Sequence, residues 1–144
     1  MPPSFHQLNQ DWNADPNAPV PRVEVDEQDI LLLFTLNSLQ FKRFTSGDTG
    51  VIRFKGCSRY RLGETNDEGW YLGQCRYSHF APAWGEFYEL IGSDGVADEP
   101  NDWVNLAAKS PERHFLFYFR DDTFECFAED WLFEHIKAGG PRSR

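Results

Sequence analysis

Side chains along this chain alternate between apolar and polar at every second residue, and that rhythm predicts strands. The clearest case covers 52–62, where Ile52, Phe54, Ser58, Tyr60 and Leu62 share one parity with Gly56, and Arg53, Lys55, Cys57, Arg59 and Arg61 share the other. The pattern predicts one strand with an apolar and a cationic face, with Gly56 marking a bulge or a close backbone approach. Segment 23–36 carries Val23, Val25 and a β-branched and aliphatic run over 30–36. It reads as a strand bent near 26–29, with a short helix over 26–33 as the competing reading. Further strands are expected at 70–80, 85–92, 103–107, 114–119 and 123–128. The 114–119 run is apolar at both parities, which suits the middle of a sheet. After Asp121 and Asp122, read as a two-residue turn, 123–128 should return antiparallel to it.

Only 129–137 changes rhythm, placing Trp131, Leu132, His135 and Ile136 at helical spacing, which predicts a short closing helix. The chain lacks the intervening helices that parallel crossovers need. It therefore reads as mainly β, with α+β as the alternative: an antiparallel sheet of six or seven strands forming a barrel or a two-layer sandwich, with a short C-terminal helix. Five of the nine prolines fall in the first 21 residues among Asn and Asp. Residues 1–21 are therefore expected to be a disordered or loosely docked arm, with Phe5 or Trp12 as the docking residue. A single β-rich domain is expected over 22–138, and the glycine pair at 139–140 opens a flexible tail over 139–144.

Composition sharpens this picture in three ways. Of 144 residues, 40% are hydrophobic and 16% aromatic, enough bulky surface for one domain to bury a core. The net charge of −9 argues against a general nucleic-acid binder and favours a basic partner. The charge is also uneven: between Lys42 and Arg61 stand six bases and one acid, whereas 94–102 holds four acids and 121–134 six, neither with a lysine or arginine. The molecule is expected to be electrically lopsided unless the sheet sets these regions against each other. Residues 1–20 hold Pro, Asn, Gln and Asp where a secretion signal would hold an apolar run, and no apolar run approaches the roughly 20 residues of a spanning helix. With Cys57, Cys75 and Cys126 far apart and odd in number, the expected setting is the reducing cytoplasm, with no membrane, and each thiol buried and inert.

Unusual residues concentrate over 59–89. Trp70, Tyr71, Trp84 and Tyr88 beside Asn66, Asp67, Glu68 and Glu86 combine flat apolar faces with acceptors, the mixture that holds a peptide, a sugar or a partner protein. The plain alternative is that the rings fill the core while the acids cap turns. Glu86 and Glu89 would face opposite sides of a strand, which spoils them as an acid/base pair. Cys75 and His79 lie too far apart along a strand for nucleophilic catalysis. His6, His79, His114 and His135 are scattered, and neither a zinc motif nor a phosphate cradle occurs, so no catalytic residue, metal or cofactor is assigned. The basic strand face of Arg53, Lys55, Arg59 and Arg61, interleaved with Tyr60, suits single-stranded nucleic acid, although these cations could instead pair across the sheet with Glu24 or Glu125.

These features point first to a non-catalytic interaction protein, immunity- or inhibitor-like, that binds another, basic protein. A small-ligand binder or hydrolase with an aromatic-walled pocket is the alternative, and a single-stranded nucleic-acid binder comes third.

Overall fold

A computed structural model describes residues 4–64, 83, 85–92, 103–106, 113–119 and 122–138, and every regular element among them is a strand. In chain order these are β1 (Ser4–Gln7), β2 (Arg22–Asp26), β3 (Asp29–Thr35), β4 (Thr49–Lys55), β5 (Arg59–Glu64), β6 (Phe87–Ile91), β7 (Val104–Asn105), β8 (Arg113–Tyr118), β9 (Asp122–Ala128) and β10 (Asp130–Ile136). They form two antiparallel sheets, one of six strands in the order β1-β6-β8-β9-β5-β7 and one of four in the order β10-β4-β3-β2. Among the described residues no helix is long and apolar enough to cross a membrane.

Period-two patterning explains how the sheets meet. Ile30, Leu32 and Phe34 of β3 and Ile52 and Phe54 of β4 share one buried cluster with Phe87, Phe115, Phe117, Phe124 and Cys126 of the larger sheet. Phe34 meets Phe117, and Phe54 meets Phe115 and Phe124, all with ring centroids 5.3 Å apart. The two sheets therefore share one aromatic core as layers and do not close into a barrel. As the apolar 114–119 run predicts, β8 lies inside its sheet, between β6 and β9.

Several expectations are corrected. The six or seven strands become ten among the described residues, in two sheets. The single strand expected over 52–62 is two, β4 in the smaller sheet and β5 in the larger, because the chain turns a corner at Gly56, whose φ is +59°. The competing helix over 26–33 is a hairpin, with Asp26 paired to Asp29 around Glu27 and Gln28. Asp122 belongs to β9, not to a turn: its carbonyl accepts from Phe119 N at 2.8 Å, and Tyr118 pairs with Thr123.

The closing helix expected over 129–137 is strand β10, which pairs with β4 from Asp130↔Lys55 to Ile136↔Thr49. Without it β4 would be an open edge; seven paired residues satisfy that edge and let Trp131 and Phe133 pack on the shared core. Phe133 carries the period-two signal that the helical reading passed over.

The arm expected over 1–21 is also revised for residues 4–21. β1 pairs with β6, Ala14 bridges to Leu36, and Trp12 is buried in the core. Phe5 packs edge-on against Tyr88 at 5.4 Å.

Candidate functional site

Of the residues singled out over 59–89, Asn66, Asp67, Glu68, Trp70, Tyr71 and Trp84 lie outside the described residues, as do Cys75 and His79. Glu86 and Tyr88 are described. Glu86 sits just before β6 and accepts hydrogen bonds from three side-chain amides of the N-terminal segment: Gln7 Nε2 at 2.7 Å, Asn9 Nδ2 at 2.8 Å and Asn13 Nδ2 at 3.1 Å. Burial pushes its carboxyl up from the ordinary value, and the Asn9 amide pulls back part of that rise. Asn9 also donates to Trp12 O and accepts from Phe87 N, so one buried amide ties the N-terminal segment to the entrance of β6. The carboxylate that the sequence offers to a ligand is thus used inside the fold. Glu89, on the other side of the strand, holds Arg113 in a two-pronged pair at 2.8 and 2.9 Å, so the two acids serve separate clusters. Tyr88 is buried, its hydroxyl bonded to the backbone of Ala83, and its pKa is pushed up to about 12, chiefly by burial, with the neighbouring Glu86 charge adding to the rise.

The four cations of the expected basic face do not form one surface, because the corner at Gly56 puts two in each sheet. Arg53 reaches Asp29 at 2.9 Å and Asp26 at 3.2 Å. Arg61 lies 3.6 Å from the fully buried Glu125, the cross-sheet pairing that was the plain alternative for this strand. Arg59 is held between the rings of Trp103 and Phe127, at 4.3 and 4.5 Å from their centroids. Lys55 is exposed at the end of β4.

The same pairings leave the far end of the smaller sheet rich in carboxylates. Asp130 pairs with Lys55 across β10 and β4, and Asp26 pairs with Asp29 across β2 and β3. Beyond Asp26 the turn carries the exposed Glu27, a residue with a side chain held at φ +57°. That is the left-handed region, where glycine is favoured and other residues are strained. Glu27 lines a shallow hollow of about 490 Å³ with Asp26, Gln28, Asp29 and Arg53. Glu129 is exposed beside the Gly56 corner, and the Asp130 side chain is 59% exposed although it also meets Arg113 at 2.9 Å. Two residues further along β10, opposite Arg53, Leu132 is 44% exposed.

Two arrangements escape sequence reasoning. On the outer face of the larger sheet, His114 Nε2 and Glu125 Oε2 lie 2.6 Å apart, both buried, with the His114 ring stacked on Phe127 at 4.3 Å. The one available signal is the β8–β9 register, which a turn placed at 121–122 shifts by two residues. A cleft of about 390 Å³ is lined by Asn13, Asp15, Asn17, Asn37, Gln40 and Tyr118, among other residues. Its carboxylate and most of its amides are already engaged. Asp15 Oδ1 accepts from Asn17 N and Ala18 N, Asn37 Oδ1 from Gln40 N, and Asn13 donates to Gly85 O. Among the described residues no three His, Cys, Asp or Glu side chains are grouped to hold a metal ion. Comparison with known protein families, with curated proteins and with solved structures finds no match to this chain.

Proposed function

We propose that the protein is a non-catalytic, inhibitor-like binding partner of a basic protein, which it engages through the carboxylate-rich end of the four-stranded sheet. The observation that carries this reading is Glu27: an exposed acid occupies the turn position that favours glycine, at φ +57°. Strain of this kind persists where the residue serves something besides stability. Asp26 lines the same hollow, Glu129 and Asp130 are exposed further along that end of the sheet, and Leu132 supplies an apolar anchor of the sort that interfaces surround with charge. The net charge of −9 adds long-range attraction for a cationic partner. Against the single-stranded nucleic-acid reading, Arg53 and Arg61 are spent on carboxylates and Arg59 on aromatic rings.

Affinity capture from the native lysate, with wild type, Glu27→Lys and Leu132→Asp side by side, tests the reading. The expected result is a basic protein retained by wild type, released as salt rises, and lost with both variants while their circular dichroism is unchanged. Equal retention by all three proteins, or retention insensitive to salt, overturns it. The second reading, a small neutral ligand in the cleft beside Asn13 and Asn37, rests on that cleft's volume, which lies within the range of ligand sites.

A further inference from the structure

Strand β10 closes one end of the smaller sheet and pairs with β4 alone. In an antiparallel ladder, alternate residues direct their backbone N–H and C=O to one neighbour and the rest to the opposite side. Half of the β10 backbone is therefore turned away from β4, and no other described strand meets it. Open edges are usually blunted by shortness, by proline or lysine, or by a bulge. β10 has none of these: it runs seven residues, Asp130–Ile136, contains neither proline nor lysine, and keeps an unbroken register with β4. The other edge strands of the described sheets are shorter, five residues in β2, four in β1 and two in β7. Side chains along the open edge sort by parity. Trp131 and Phe133 turn to the core, where both stay partly exposed, while Asp130, Leu132 and Glu134 share the opposite face. The Glu134 carboxylate has no hydrogen-bond or ion-pair partner among the described residues.

We propose that β10 is the docking edge for the basic partner, which adds an extended segment of its own chain as a fifth strand of this sheet. The assignment rests on the reading of the partner as basic, and adds how it is held. A strand laid beside β10 sets alternate residues opposite Asp130, Leu132 and Glu134, and the residues between them opposite Trp131 and Phe133. The complementary segment carries lysine or arginine at both ends of a five-residue stretch and apolar side chains at the three positions inside it. Main-chain hydrogen bonds to the open edge give such a segment its affinity, and the two charge pairs and the Leu132 contact select it. A second copy of β10 lacks this chemistry. It holds no lysine or arginine to answer Asp130 and Glu134, and its one histidine, His135, lies 2.7 Å from the buried Asp48.

The test uses the full chain and a synthetic peptide, Thr-Lys-Val-Leu-Val-Lys-Thr, with backbone amides followed by NMR. The expected result is saturable binding that slows hydrogen exchange at alternate β10 amides by about tenfold. Two N-methylated forms of the peptide, one methylated at the lysines and leucine and the other at the valines, should behave differently. Methyl groups on the parity that faces β10 abolish binding, and those on the other parity leave it within about twofold. Glu134→Lys, with its circular dichroism unchanged, should weaken the parent peptide about fivefold and strengthen a form with glutamate in place of each lysine. Equal behaviour of the two methylated peptides overturns the proposal, as does β10 exchange that the parent peptide leaves unchanged. Protection of β10 amides that rises with protein concentration in the absence of peptide assigns the edge to a second copy and likewise overturns it. Either failure beside a salt-sensitive, Glu27-dependent partner in the lysate capture sinks strand addition alone, whereas loss of that partner sinks the basic-partner reading itself.

Discussion

Glu27 and Asp48 show opposite uses of a carboxylate. Glu27 holds its backbone at φ +57°, so replacing it by glycine should relieve the left-handed penalty. Glycine's own entropic cost offsets part of the relief. Glu27→Gly is expected to raise stability by about 0.5–1 kcal/mol, read as a higher urea midpoint. The same variant should bind the basic partner less well, a trade of stability against function at a single side chain. Asp48, by contrast, is buried and fully engaged. It accepts from Thr45 N and Ala138 N, each at 2.8 Å, and its Oδ2 lies 2.7 Å from His135 Nε2. Burial alone would raise its pKa, but these contacts outweigh it and lower the value to about 2. A carboxylate whose folded pKa is depressed stabilises above its unfolded value near 4 and loses that contribution as pH falls toward 2. Asp48→Ala should cost about 2–3 kcal/mol at pH 7, because it removes a buried carboxylate that holds two part-buried backbone donors and the His135 ring. The variant should also lose part of the wild-type decline in stability between pH 4 and 2, which urea titrations at several pH values would show.

At the scale of elements, the apolar parity of most strands was legible, while the places where strands end were not. Residues 52–62 alternate without a break, and only Gly56 hints that the ladder changes sheets there. At the corner Cys57, of the cationic parity, turns into the core. A period-two pattern reports which side is buried and not which sheet does the burying. β10 was missed because Trp131, Leu132, His135 and Ile136 satisfy a helical spacing as readily as a strand. What decides is the long-range pairing with β4, which no local pattern contains. The acidic end was illegible for the same reason, since it assembles only when β10 is laid beside β4. The corner makes a direct prediction. A Cβ at residue 56 would need φ +59° and would stand 2.5 Å from the Glu129 carboxylate. Gly56→Ala should cost about 1–2 kcal/mol. Because the Glu129 side chain is exposed and can move, adding Glu129→Ala should recover little of that loss in a double-mutant denaturation cycle.

At the scale of the whole molecule, the question is what holds two sheets of different size in one register. Trp12 touches both. Its ring stacks on Phe133 at 4.1 Å and packs on Phe34 at 5.7 Å in the smaller sheet, and it meets Phe87 at 6.0 Å and Phe117 at 6.1 Å in the larger. Asn9 fixes the same segment to β6, and Asn37 N donates to Asn13 O at 2.9 Å beyond β3. A loosely docked arm could be removed with no effect on the core, whereas this segment inserts its largest side chain between the layers. Trp12→Ala should therefore cost about 4 kcal/mol, a large part of the 5–15 kcal/mol that usually separates folded from unfolded. Deleting residues 1–21 would remove that ring and the β1 ladder together, and would also strip Glu86 of its three amide donors. The shortened chain should show no cooperative thermal transition, while a melting temperature equal to that of the full chain would return the segment to the status of an arm.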